Sequence, residues 1–139
     1  MRTFLIAMIF LAGVAMFNCQ LASGVYAIRS ALDQGTWDFC GANDCYPEET
    51  DLFSYNVYHP NVNTQKFTVT ALDNGYYTFG LPSFSLAVEY RESDVPTEAI
   101  FVSQRYDPTN VNQQFSLVAR KDGTYIVKPR KFPYLAIRS

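Results

Sequence analysis

Residues 56–79 read NVYHPNVNTQKFTVTALDNGYYTF, and residues 104–127 read QRYDPTNVNQQFSLVARKDGTYIV. Shifted by 48 positions, the two stretches coincide at Tyr58 and Tyr106, Pro60 and Pro108, Gln65 and Gln113, and Phe67 and Phe115. They coincide again at Gly75 and Gly123 and at Tyr77 and Tyr125. Self-similarity at a fixed period marks a chain built from repeated supersecondary units. The stretch VYAIRSAL (25–32) resembles the segment that starts at Tyr76, which sets the period near 50 residues.

Each repeat reads as about four strands. VYAIRS (25–30), KFTVTAL (66–72), YYTFGL (76–81), FSLAVEY (84–90), AIFVSQRY (99–106) and TYIVKP (124–129) are short aromatic and β-branched runs between turn signals. Asn74-Gly75 and Asp122-Gly123 fall between such runs, where glycine supplies a positive φ at no steric cost. No window after the first two dozen residues sustains apolar residues at helical spacing, so the sequence predicts an all-β fold.

The amino-terminal residues follow different rules. In MRTFLIAMIFLAGVAMFNCQLASG (1–24), Arg2 is the only charge and an apolar run extends from Phe4 to Phe17. This is the order of a secretory signal peptide, with small residues Ala22 and Gly24 fitting a cut. The run is shorter than the roughly 20 residues that span a bilayer as a helix. We therefore expect a signal over 1–24, a secreted, extracellular product starting near Val25, and no membrane attachment after cleavage. An uncleaved anchor is the alternative.

Composition narrows the function classes. The chain has 139 residues, which favours one domain. Its 11 Lys and Arg nearly balance 13 Asp and Glu, so no basic surplus favours nucleic acid. Aromatic residues make up 16%, enough to pack a core in a small domain. Without the leader, Cys40 and Cys45 remain, and an even count in a secreted chain reads as one disulfide. A zinc site is disfavoured, because it needs about four ligands and His59 is the sole histidine. No metal or cofactor is expected. Neither a nucleophile elbow nor a zinc-protease, phosphate-loop or paired-acid motif is present, so the chain does not read as an enzyme.

Two patterns recur: Gln65-Lys66-Phe67 and Gln113-Gln114-Phe115, each followed by Gly-x-Tyr-x-apolar at Gly75–Phe79 and Gly123–Val127. In these the chain resembles the ricin B-type β-trefoil lectins, over roughly residues 24–139. The resemblance implies a β-trefoil domain over 25–139, with repeats at about 25–75, 76–123 and 124–139. The third is partial and lacks its own Gln-x-Phe. A full third repeat would take roughly 30–35 more residues. A barrel closes only with all its strands, so an open edge is expected, and with it an incomplete coding sequence or an unstable product. Completion by a second chain in an oligomer and a strained two-and-a-half-repeat fold are the alternatives.

The glutamine has a bottom-up role of its own. The Phe of the motif fills the core, and the Gln two residues earlier lies on the same strand face. There it satisfies backbone groups of the adjoining loop.

The resemblance also implies a glycan site, built from an acceptor Asp, a stacking aromatic and an amide beside the Gln-x-Phe glutamine. In the first repeat these map to Asp38, Tyr55, Asn63 and Gln65, although Thr64 occupies the expected asparagine position. The second repeat offers Asn112 and Gln113 as a weaker site, with Ala87 where the Asp would stand and Ser103 where the aromatic would. The rival reading makes Asp38 a turn or solvent residue. Expected partners are glycans or glycoproteins, galactose-type by resemblance. Two non-lectin alternatives remain open. One is a protease inhibitor acting through loops 40–51, 91–98 and 107–112; the other is an interaction protein that has lost sugar binding.

Overall fold

A computed structural model describes residues 5–10, 20–41, 45–92 and 99–131. The fold is all-β, with ten strands: β1 (Leu5–Phe10), β2 (Gly24–Ser30), β3 (Thr36–Asp38), β4 (Phe53–Tyr55), β5 (Phe67–Ala71), β6 (Tyr77–Leu81), β7 (Leu86–Glu92), β8 (Ala99–Arg105), β9 (Phe115–Ala119) and β10 (Tyr125–Pro129). Two one-turn 3₁₀ helices, Asn63–Gln65 and Val111–Gln113, lead into β5 and β9. Among the described residues no helix is long and apolar enough to cross a membrane.

Six strands form a closed ring. Going round, β2 pairs β5, β5 pairs β6, β6 pairs β9, β9 pairs β10, β10 pairs β1, and β1 returns to β2, all antiparallel. The remaining strands form two caps, the β3–β4 and β7–β8 pairs. This is a β-trefoil-like barrel. The repeat count predicts an open edge, and the structure corrects that expectation among the described residues. The apolar run read as a leader supplies β1, which pairs both β2 and β10. The rest of the third repeat, 132–139, lies outside the described residues, as do 1–4 and 11–19 of the leader and 93–98 of the loop at 91–98.

The core follows from the repeats. Phe67 and Phe115 of the Gln-x-Phe motifs are buried, and Phe79 lies between Trp37 and Phe115 at centroid distances of 5.6 and 5.5 Å. Tyr26, Ile28, Tyr77, Tyr125 and Val127 join the same cluster. Such tilted and edge-on aromatic contacts add specificity to the area they bury. The two β-turns repeat as well. Gly75 and Gly123 have φ of +85° and +84°. Asn74 Oδ1 accepts from the Tyr76 amide at 3.0 Å, and Asp122 Oδ1 accepts from the Thr124 amide at 3.0 Å. Both loops turn on a left-handed glycine stabilised by a side chain one residue before it.

Candidate functional site

The glutamines of the two repeats do the same work. Gln65 Nε2 donates to Val57 O at 3.0 Å, and Gln65 Oε1 accepts from the His59 amide at 2.6 Å. Gln113 Nε2 donates to Arg105 O at 2.8 Å, and Gln113 Oε1 accepts from the Asp107 amide at 2.9 Å. Each side chain, buried above the core, thus ties down the loop that precedes Pro60 or Pro108. The structural role expected of the motif is present at both positions.

Each glutamine also meets a carboxylate. Asp38, at the end of β3, is fully buried. Its Oδ1 accepts from the Cys40 amide at 2.9 Å and from Thr64 Oγ1 at 2.8 Å, and its Oδ2 accepts from Gln65 Nε2 at 2.9 Å. The reading of Asp38 as a turn or solvent residue is therefore corrected: it is an internal acceptor. Asp38 and Gln65 come together as expected, and Thr64 rather than Asn63 completes the group. Asn63 is exposed at the start of its 3₁₀ turn. Tyr55, half-buried on β4, has its ring 6.3 Å from Phe53 and 6.5 Å from His59.

In the second repeat the carboxylate is Glu89, on β7, and not a residue at the Ala87 position. Glu89 Oε1 accepts from Gln113 Nε2 at 3.4 Å and from Asn110 Nδ2 at 2.5 Å. The repeat offset points to Ala87 because the acid is displaced by two residues, which keeps it on the same strand face, and is a Glu where the pattern has an Asp. Ala87 itself is buried without contributing a polar group.

Beside Glu89 the surface opens. A cavity of about 340 Å³ is lined by Glu89, Tyr90, Arg91, Glu92, Asn112 and Lys131. Its charges are balanced: Arg91 Nε lies 3.6 Å from Glu89 Oε2, and Lys131 Nζ lies 3.9 Å from Glu92 Oε1. Asn112 Oδ1 is buried and has no hydrogen-bond partner among the described residues. An orphaned buried amide oxygen is costly. The cavity thus combines an amide, two carboxylates and two cations, a set suited to a ligand with several hydroxyls. Ser103, expected to replace an aromatic here, is buried and serves the cap. Its hydroxyl donates to Pro47 O, and its backbone amide donates to Thr50 O at 3.0 Å.

Cys40 and Cys45 form a disulfide with Cα atoms 6.1 Å apart, within the range that a bridge spans. Among the described residues no group of three or more His, Cys, Asp or Glu could hold a metal ion. His59 is exposed in its loop.

No protein-family model matches the sequence. No curated protein matches it. Among solved structures the chain is similar to a designed 3-fold symmetric protein, ThreeFoil, with a TM-score of 0.58 and 20% identity. That match covers 70% of this chain and 66% of the other, so the chain spans about two thirds of its structural relative. At this identity the likeness concerns the fold, and it agrees with the β-trefoil-like ring and caps described above.

Proposed function

We propose that this protein is a non-catalytic glycan-binding module of the ricin B-like kind, working outside the cell, and that its glycan site lies in the second repeat. One observation carries the reading: Asn112, whose buried Oδ1 has no hydrogen-bond partner among the described residues, and Glu89 line one open cavity. A pair of sugar hydroxyls would donate to these two acceptors, and Lys131 and Arg91 would donate to a ring or hydroxyl oxygen. The Asp38 group is less suited: Asp38 is fully buried with both oxygens accepting from within the chain, whereas the Glu89 side chain keeps about 10% exposure and lines the cavity. The order of residues 1–24 and the Cys40–Cys45 bridge support an extracellular setting.

The Gln-x-Phe likeness makes galactose-type glycans the first class to try. The test is a glycan array read with the wild-type protein, Glu89→Gln and Asn112→Ala. Binding by wild type that drops at least tenfold in both variants, with unchanged thermal unfolding, is the expected result. Wild-type signal no higher than background on every glycan overturns the reading. Binding that survives both variants but is lost in Tyr55→Ala moves the site to the first repeat.

A further inference from the structure

The sixth position of the barrel is filled by residues that sequence order marks as a leader. β1 is in register with β2 over five residues, from Ile6 opposite Ser30 to Phe10 opposite Tyr26, and with β10 at Leu5–Ile126 and Ile6–Tyr125. Without it, both neighbours would present unpaired backbone N–H and C=O groups along a barrel edge, which a closed sheet avoids. Ile6, Met8 and Phe10 fall opposite Ser30, Ile28 and Tyr26, and Ala7 and Ile9 fall opposite Arg29 and Ala27, so five consecutive residues of β1 are in register with β2.

The integration continues past β1. Leu21 belongs to the core cluster. Its carbonyl accepts from the Tyr77 hydroxyl at 3.2 Å, and the Ala22 carbonyl accepts from the Tyr26 hydroxyl at 2.5 Å. Ser23 Oγ accepts from the Ala71 amide at 2.8 Å. A cut after Ala22 or Gly24 falls inside this set of contacts. Processing there and closure of the barrel compete for the same residues.

We infer that the slot between β2 and β10 is a strand-acceptor site whose occupant is this chain's own segment Leu5–Phe10, and that the folded protein keeps that segment. It stays covalently attached, or remains docked as a peptide if the chain is cut behind it. The pairing is β-strand addition, in which the main-chain ladder holds the strand.

Two measurements on the full chain test this. The first is native and denaturing mass spectrometry of the protein recovered from the culture medium of expressing cells. The expected result is a mass that includes residues 5–10, or a trimmed chain that carries the leader peptide under native conditions and releases it on denaturation. The second is Met8→Pro in the full chain, which puts a residue without an N–H and with a fixed φ in the middle of β1, between two paired strands. The expected result is a fall in the thermal midpoint of about 10 °C or more. Met8→Leu should restore it. Fast amide hydrogen exchange at residues 6–10 beside slow exchange in β2 overturns the inference. So does a folded protein that begins near Val25 and carries no peptide. If that protein is a monomer, the slot needs no strand; if it is a dimer, a second copy fills the slot and the cis occupant is wrong.

Discussion

Gln65 donates through Nε2 to Asp38 Oδ2 at 2.9 Å, linking a cap strand to the turn that leads into the barrel. The same glutamine is committed on both ends of its amide, to Val57 O and to the His59 amide, so it cannot flip. Asp38→Ala leaves the Thr64 hydroxyl, the Cys40 amide and one Gln65 proton without their acceptor, and should lower stability by about 2–4 kcal/mol. Asp38→Asn should be no rescue. Its amide nitrogen would face the Gln65 Nε2 donor, at a cost of about 1–2 kcal/mol. Urea denaturation of the three proteins checks this order. An Asp38→Ala protein as stable as wild type would show that the carboxylate has no structural role.

Much of this fold is written locally. The Gln-x-Phe motifs, the two glycine turns and the alternating runs each specify their own strand or loop, and the repeat lays them out at a fixed period. Strands β3 and β4 are harder to read, because three residues each carry too little pattern. The closure of the ring is not local at all. Leu5–Phe10 is as apolar as a signal core and as a barrel strand, and nothing in its composition separates the two roles. The Glu89 site was hidden for a related reason. Sequence alignment matches residue types at fixed offsets, whereas the strand face allows an acid two residues further along to reach the same glutamine.

The two hairpin glycines should be more sensitive than a strand glycine, for reasons of backbone and not of space. At Gly75 and Gly123 an added Cβ would meet nothing within 4 Å, yet φ is +85° and +84°. Alanine there is strained by about 1–2 kcal/mol. At Gly80 the nearest atoms to a new Cβ are Leu86 O and Thr68 O, both at 3.7 Å, which is ordinary contact. Gly80→Ala should change stability by less than about 1 kcal/mol, in either direction. Thermal denaturation of Gly75→Ala, Gly123→Ala and Gly80→Ala should show the first two lowered by similar amounts. A Gly80→Ala variant less stable than both would overturn the argument from φ.

Reducing the Cys40–Cys45 bridge should weaken the fold modestly. The closed loop is short, with a sequence separation of 5, and a loop of this size contributes about 2 kcal/mol by restricting the unfolded chain. The bridge lies directly after Asp38, whose Oδ1 accepts from the Cys40 amide. Cys40→Ser/Cys45→Ser should therefore shift the urea midpoint to lower concentration without changing the slope. A steeper or shallower slope would show that the bridge also orders the unfolded or native state more widely.

Alkaline pH should unfold the protein through its buried tyrosines. Burial pushes the Tyr26, Tyr77 and Tyr90 phenols above the ordinary tyrosine value of 10.0. The neighbouring phenols Tyr125 and Tyr77 reinforce this at Tyr26, and Glu92 does so at Tyr90; the bond to Leu21 opposes it at Tyr77. In the folded state these groups hold their protons where the unfolded chain has begun to lose them. The unfolded state then binds fewer protons, so stability is intact below about pH 10 and falls as pH rises through the raised folded values. Tyr77→Phe removes the hydroxyl that donates to Leu21 O and should lose about 1 kcal/mol at neutral pH. It should also show a shallower decline above about pH 10, because one of the three phenols no longer titrates. Denaturation midpoints measured from neutral pH into that range, beside an absorbance titration of phenolate, test both parts. A wild-type midpoint that stays flat through the tyrosine range would show that these phenols ionise as freely in the folded chain as in the unfolded one.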